Sequence, residues 1–188
     1  MRVLGSVKTA SFFTATLACM HMTGCLITLN PVMDTHVIDT DPFANFCRYD
    51  CMIVQNLSTG IARSYLQFDT STVSGTVNSA MMTVHLCQGC GPAGATVKVF
   101  EVRDVWDHCL LDWVNQPPHT LTAEDFDTCG GLPYIQLDLT DLVQKWVDNP
   151  ASNYGVVLMV DENVPGDFFS LHAVDSTNLP ELTIDYTP

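Results

Sequence analysis

Short stretches of alternating apolar and polar residues, separated by turn-forming residues, constrain this chain more than any other feature. Alternation with a period of two predicts strands that are buried on one face. No Ser- or Pro-rich linker separates these stretches, and they follow one another at short, irregular intervals. The sequence therefore predicts one all-β domain with the architecture of a jelly-roll-like β-sandwich. The predicted strands cover residues 62–68, 77–86, 95–102, 134–139, 155–160, 168–172 and 181–186.

One segment departs from this pattern and predicts a short helix near residues 140–149. Its apolar side chains fall on one helical face. They are Leu139, Leu142, Val143, Trp146 and Val147. Thr140 is the predicted N-cap, and Asn149 followed by Pro150 ends the helix. Trp146 is expected in the core.

Charge limits the partners that the chain can have. Seven Lys and Arg stand against 21 Asp and Glu, which gives a net charge of −14. Such a surface repels phosphate backbones and anionic lipid surfaces, so we expect no nucleic-acid partner. With 47% hydrophobic and 15% charged residues, the chain has the composition of a folded domain rather than a disordered one.

The N-terminal segment has the features of an export signal. Arg2 and Lys8 form a positive start, and an uncharged stretch follows from residue 9 to residue 22. This stretch is too short for a comfortable transmembrane helix but has the length of a secretory h-region. Residues 1–24 are therefore expected to be a signal peptide.

The end of this segment, residues 22–25, resembles a bacterial lipobox. The resemblance implies cleavage before Cys25, lipidation of the Cys25 thiol, and a lipidated tether over residues 25–28 ahead of a domain at 29–188. A lipid anchor would then be the only contact with a membrane. The expected location is the outer membrane or cell surface, with a soluble extracellular protein as the alternative.

Six cysteines remain after Cys19 and Cys25, and in an exported chain six thiols favour three disulfides. Proximity in the sequence favours pairing each cysteine with its next neighbour. The candidates, in the order of those pairs, are Cys47 with Cys51, Cys87 with Cys90, and Cys109 with Cys129. Fifteen pairings are formally possible. Zinc held by the first four thiolates, with His85 close by, and free redox-active thiols are the alternatives.

Several stretches, in this order along the chain, resemble one known family. They are residues 62–69, 77–80, 97–102, 105–107, 112–117, 138–147, 153–158 and 179–186. Trp113, Asn115 and Gln116, with the proline after them, look like a tryptophan-Asn-Gln-Pro signature. The chain is identified by these stretches as similar to DNRLRE domains, also classed as carbohydrate-binding module family 96. The resemblance spans roughly residues 29–187.

The resemblance implies a β-sandwich that binds carbohydrate without cleaving it, the best-defined ligand being an acidic polysaccharide such as alginate. Only five basic residues follow residue 24, so binding of a polyuronate would need calcium to bridge the carboxylates. The six cysteines are unusual for the family and are interpreted as added staples.

Four residues are the candidates for sugar binding: Trp113, Asn115, Gln116 and Tyr134. Aromatic faces pack against the C–H bonds of pyranose rings, and planar amides bond to hydroxyl groups. The alternative is that the tryptophan signature is a buried structural corner whose amides cap backbone groups. Phe168 and Phe169 are a further aromatic candidate.

Acidic clusters are the candidates for a cation site. They are Asp34, Asp39 and Asp41; Glu124, Asp125 and Asp127; and Asp161, Glu162 and Asp167. None has EF-hand spacing, so solvated faces are expected and no cofactor is required, with a structural calcium ion as the alternative.

No catalytic motif stands out, so we do not expect an enzyme. The sequence favours a glycan-binding or adhesion module on an exported protein, and its main competitor is a structural protein that assembles through protein–protein contacts.

Overall fold

The computed structural model describes residues 24–174 and 176–188, together with the backbone of residues 16–20. In chain order the elements are β1 (Thr16–Met20), β2 (Gly24–Leu29), β3 (Pro31–Ile38), β4 (Cys51–Leu57), β5 (Gly60–Phe68), β6 (Thr76–Cys90), β7 (Thr96–Glu101), β8 (Asp125–Thr128), β9 (Tyr134–Asp138), α1 (Thr140–Asp148), a 3-10 turn (Pro150–Ser152), β10 (Val156–Met159), β11 (Phe168–His172) and β12 (Glu181–Thr187). Strands lie at all seven predicted places. β1, β2, β3, β4 and β8 were not predicted as strands.

The strands form two antiparallel layers that share β6. In the first layer the order is β1-β2-β12-β6-β9. In the second layer β11, β4, β5, β10, β7 and β8 follow one another, and β3 also pairs with β5. The last residues of β6, from Leu86 to Cys90, pair with β11 and join the layers. The predicted all-β sandwich is confirmed.

The main core lies between the layers and is built from alternate strand residues. Examples are Met82 and Val84 on β6, Leu182 and Ile184 on β12, and Leu66 on β5, all of which are buried. The alternation places their neighbours on the outer faces. The predicted β-pattern and the observed core therefore agree residue by residue in these strands.

Helix α1 packs its apolar face against the main core. Leu142, Val143 and Trp146 are buried, and the Trp146 side chain has no exposed surface, as predicted. The predicted N-cap was wrong: Leu139 occupies that position, and the Thr140 hydroxyl accepts a bond from the Ala80 N–H at 3.0 Å. Thr140 therefore ties the helix to β6 instead of capping its own backbone.

A second apolar cluster covers the outer face of the second layer. Residues 102–124, between β7 and β8, fold back so that Trp106 and Leu111 pack on Tyr65 and Val157. The Trp106 indole N–H donates to the Tyr154 carbonyl at 2.8 Å. This covering segment, residues 102–124, buries part of a face that would otherwise meet solvent.

The six predicted cysteines form three disulfides, and these differ from the pairs that sequence proximity favoured. They join Cys47 to Cys109, Cys51 to Cys87, and Cys90 to Cys129. Cys87 and Cys90 both lie in extended β6, where three residues span about 10 Å, too far for a disulfide. The short-range pairing was wrong because strands bring together cysteines that are distant in sequence. All six thiols predicted for disulfides or zinc are used in these bonds.

The predicted tether residues, 25–28, lie within strand β2, which pairs with β12. Ile27 is buried, so this stretch contributes to the core. Cys25 is also buried and is disulfide-bonded. Most of the predicted signal peptide lies outside the described residues. Within the part of the chain that is described, no helix is long and apolar enough to cross a membrane.

Candidate functional site

Trp113 lies in a polar network on the outer face of the second layer. The Arg63 guanidinium stacks over the indole ring, 4.8 Å from its centroid. Arg63 also donates to both carboxylate oxygens of Glu162, at 2.6 and 2.8 Å. Burial alone would lower the pKa of Arg63, but Glu162 and Tyr65 together outweigh burial and raise that pKa. Arg63 is therefore a charged side chain that packs against the Trp113 ring and is held in place by Glu162.

The amides of Asn115 and Gln116 are engaged in this corner. Gln116 Oε1 accepts from Arg63 at 3.0 Å and from the Tyr65 hydroxyl at 2.9 Å, and its Nε2 donates to the Trp113 carbonyl. Asn115 Nδ2 donates to the Leu110 carbonyl, and its Oδ1 accepts from a backbone N–H. These bonds fix the orientation of both amides, and one N–H on each amide nitrogen has no hydrogen bond among the described residues.

Tyr134 lies elsewhere, on β9 in the first layer. It pairs with His85 of β6, and the two rings meet edge to face at a centroid distance of 6.0 Å. The structure therefore brings Trp113, Asn115 and Gln116 together but places Tyr134 on the other layer.

An open groove of about 430 Å³ lies on the outer face of the second layer, beside β4 and β11. Its wall is an aromatic cluster in which His36 stacks on Phe46 at 4.3 Å and Phe46 meets Tyr49 edge to face at 5.3 Å. Tyr49 is 57% exposed, whereas His36 is 3% exposed. The cluster thus presents one accessible ring on a fixed base.

Strand alternation explains why the groove faces outward. Met52 and Val54 on β4, and Phe169 and Leu171 on β11, point into the main core. The residues between them must face the opposite side. The groove is lined on this side by Ile53, Gln55, Phe168 and Ser170, and at its margins by Asp50, Cys51 and Gln88. Phe168, a sequence candidate, is thereby part of the groove, whereas Phe169 belongs to the core.

Two contacts hold the segment that carries Phe46 and Tyr49. The Cys47–Cys109 disulfide joins it to the covering segment across 62 residues of sequence. Asn45 Nδ2 donates to the carbonyls of His108 and Leu111, both at 2.8 Å. The aromatic wall is therefore fixed from both sides of Phe46.

His36 is the buried member of the wall, and its Nδ1 has no hydrogen bond among the described residues. Burial lowers the pKa of His36 to about 4. The imidazole is therefore neutral near pH 7, and it stacks on Phe46 as an uncharged ring.

The acidic clusters hold backbone N–H groups. Asp125 Oδ2 accepts from the Asp138 N–H at 2.7 Å, and Asp127 Oδ2 accepts from the Gln136 N–H at 2.8 Å. These bonds close the seam between β8 and the free edge of β9. Carboxylates of the other two clusters also accept from backbone N–H groups: Asp39 from Ile61, Asp34 from Val174, and Asp167 from Thr96.

One acidic cavity of about 500 Å³ lies at the start of α1, with Glu124, Asp125, Asp138 and Asp141 in its lining. Burial, followed by the nearby Glu101 carboxylate, raises the pKa of Glu124. Two of these carboxylates are engaged: Asp125 in the seam and Asp138 with Thr140.

Sequence reasoning missed the groove because its aromatic residues lie in an irregular segment with no periodicity. Phe46 and Tyr49 flank Cys47, one of the predicted disulfide cysteines. That position was the only available signal that the two rings are held in place.

A β-sandwich with a concave, aromatic-lined groove on an outer face has the shape expected of a ligand-binding module. A family model of such modules matches residues 26–186, and the chain belongs to carbohydrate-binding module family 96. The match begins within β2 and ends in β12, so it covers both layers. A comparison with curated proteins found no match. Family membership and three disulfides are features of an extracellular protein.

Proposed function

We propose that the protein is a non-catalytic module that binds a glycan in the groove formed by the aromatic wall and the outer faces of β4 and β11. The exposed Tyr49 ring beside Phe46 is the observation that carries the proposal. A pyranose ring packs its C–H bonds against such a face, and the phenol hydroxyl remains available to solvent or ligand. The groove is concave and combines apolar and polar lining, as ligand sites do.

Polar side chains at the groove margin would orient the sugar. Gln55 is committed, since its Nε2 donates to the Gly60 carbonyl at 3.1 Å. Gln88 is exposed and makes no side-chain hydrogen bond within the described chain. Gln88 and Asp50 are therefore the groups that we expect to bond to sugar hydroxyls.

Charge favours a neutral glycan. Asp50 is the one charged side chain among the described lining residues. Most of the basic side chains are already in ion pairs within the protein. These are Arg63 with Glu162, Lys98 with Asp161, and Arg103 and Lys145 with Glu101. Binding without cleavage fits a lining with a single carboxylate, because glycoside hydrolysis ordinarily takes two.

The test is a glycan-array screen of the domain from Leu26 onward, followed by titration of each hit, with calcium and with a chelator. Tyr49→Ala should weaken binding about tenfold or more, as truncation of a central aromatic contact does. Phe43→Ala is the matched control because Phe43 lies in the same segment, is 78% exposed, and does not line the groove.

Two further variants distinguish the groove from the residues predicted by sequence. Tyr134→Ala and Trp113→Ala should leave the affinity of folded protein unchanged. Loss of binding in either of them, with Tyr49→Ala unaffected, would move the sugar site to that residue and contradict the groove.

We also propose that the domain is carried on a cell surface by a lipid on Cys25. A thioether at Cys25 and a disulfide at Cys25 exclude each other, because both use the same sulphur. Intact mass spectrometry of protein from a bacterial host should give a diacylglyceryl adduct on a chain that begins at Cys25. An unlipidated chain with Cys25 in a disulfide would contradict the anchor and leave the secreted alternative.

Protein–protein assembly is the second candidate function. Its support is a set of apolar side chains on the covering segment: Val105 is 76%, Leu110 72% and Val114 64% exposed. Such a patch is a feature of interaction surfaces. Concentration-dependent oligomers in sedimentation velocity, dispersed by Leu110→Asp, would support assembly. A monomer at all concentrations would contradict self-assembly.

A further inference from the structure

Of the three disulfides that the six predicted cysteines form, two have a histidine beside them. His172 lies with Cys51 and Cys87, and His108 lies with Cys47 and Cys109. In each group one nitrogen and the two sulphur atoms all lie within 4.8 Å of one another. Each group therefore brings two sulphur atoms and one imidazole to a single point.

The two histidines share a second property. Nδ1 of His108 and Nδ1 of His172 are buried and have no hydrogen-bond partner among the described residues. Buried polar atoms are nearly always satisfied, and each of these two histidines lies in a group with two sulphur atoms, with its Nδ1 available to a ligand. On His172 the other ring nitrogen lies 3.5 Å from the Asn178 amide, which leaves Nδ1 for a different contact.

The third disulfide provides a contrast within the same chain. No His, Asp or Glu of the described residues joins Cys90 and Cys129 in such a group. Among these three disulfides, two therefore have an imidazole beside them and one does not.

We propose that, in the reduced chain, Cys51, Cys87 and His172 form one zinc site and Cys47, Cys109 and His108 form another. A phosphine or dithiol reductant supplies two electrons to each disulfide and yields two thiols. Zinc then binds two thiolates and one neutral imidazole, and two protons are released for each ion bound. Water completes the fourth position.

The distances suit this ligand set. Tetrahedral zinc with Zn–S bonds of about 2.3 Å separates two sulphur atoms by about 3.8 Å. Opening the S–S bond allows this separation with a small movement, and the imidazole is already within 4.8 Å. A zinc ion at Cys47 and Cys109 would also join the same two segments that the disulfide joins.

The test is zinc titration of phosphine-reduced protein against a chromophoric chelator, with cobalt substitution to report thiolate and imidazole ligation. We expect two zinc equivalents in the wild type. His172→Ala and His108→Ala should each lose one equivalent, and His172→Cys should restore the second because a thiolate replaces the imidazole. Cys90→Ser with Cys129→Ser should still bind two.

Three results would overturn the proposal. These are unchanged stoichiometry in both histidine variants, a loss of zinc in the Cys90 and Cys129 double variant, and the absence of zinc from reduced wild type. Circular dichroism accompanies each titration. If the reduced chain unfolds, its thiols should bind zinc without regard to histidine, and this counts against the two sites.

Discussion

Arg63 connects the covering segment to the sandwich at the level of a single side chain. It bonds to Glu162 and Gln116 and stacks on Trp113, and its side chain is only 19% exposed. An ion pair with this geometry differs from an exposed pair because removal of one partner leaves the other charge partly buried.

Replacing Arg63 with Ala should therefore lower the free energy of unfolding by about 2 kcal/mol, because Glu162 loses its partner and Gln116 loses a donor. Urea denaturation measures the change. Arg103→Ala is the control: its side chain is 59% exposed and lies 3.8 Å from Glu101, so we expect a change within about 0.5 kcal/mol. Equal decreases in the free energy of unfolding for the two variants would contradict this stabilising role of Arg63.

We expect the buried His36 to make the free energy of unfolding depend on pH. Burial lowers the pKa of His36 to about 4 from the ordinary value of 6.5. Between these two pH values the imidazole is protonated in the unfolded chain and neutral in the folded chain. The stability should therefore decrease as the pH falls from about 6.5 to about 4, by about 3 kcal/mol in total. Tyr49 and Asp50 are the other titratable groups at the groove.

The measurement is urea denaturation at a series of pH values between 7 and 4, on the wild type and on His36→Phe. The variant keeps an aromatic ring against Phe46 and should remove most of the slope in this window. The pKa values of Asp69 and Asp161 are lowered by hydrogen bonds, so their contributions are lost only at lower pH. If His36→Phe keeps the same dependence of unfolding free energy on pH, then His36 does not cause that dependence.

At the level of elements, irregular segments rather than strands build the groove. Outward-facing residues of β4 and β11 form the floor of the groove, while Phe46 and Tyr49 of its wall lie in the segment between β3 and β4. The Cys47–Cys109 disulfide and Asn45 hold that segment to the covering segment. The position of the wall therefore depends on a bond between two connections.

Removal of the Cys47–Cys109 disulfide should lower both stability and glycan affinity, whereas removal of Cys90–Cys129 should lower stability alone. Cys47→Ser with Cys109→Ser, and Cys90→Ser with Cys129→Ser, should each lose about 4 kcal/mol because both open loops of tens of residues. Only the first should weaken glycan binding, since Cys90 and Cys129 pack against the main core. Comparison of unfolding free energies and affinities for a glycan hit checks this. Equal binding in both variants would contradict the role of the bond.

At the level of the whole molecule, the net charge predicts which ligands the domain should bind. Beyond residue 24 the chain has 5 basic and 21 acidic residues, a net charge of −16. We expect polyuronate fragments to show no binding in chelator at low salt, where repulsion is least screened. A neutral glycan should bind with an affinity that changes less than about twofold between low and physiological salt. Tight calcium-free binding of a polyuronate would contradict the neutral-ligand proposal.

Strand and helix positions could be predicted from the sequence because their signals are local. Residues two apart reveal a strand face, as in β5 and β12, and residues three and four apart reveal α1. The strands that were missed have weaker patterns: β8 is Asp-Phe-Asp-Thr, and its carboxylates bond to β9 across the seam. The acidic residues of β8 can bond in this way only because the tertiary structure places the edge of β9 beside them.

The sequence by itself determined the sandwich class, helix α1, the acidic surface and the set of six cysteines that form the three disulfides described above. It also determined the family, through motifs spread over both layers. Only the tertiary structure decided the disulfide partners, the engagement of Asn115 and Gln116, and the groove at Tyr49. The reason is physical: alternation and composition are properties of neighbouring residues, whereas a groove and a disulfide need atoms from distant segments to meet within a few ångströms.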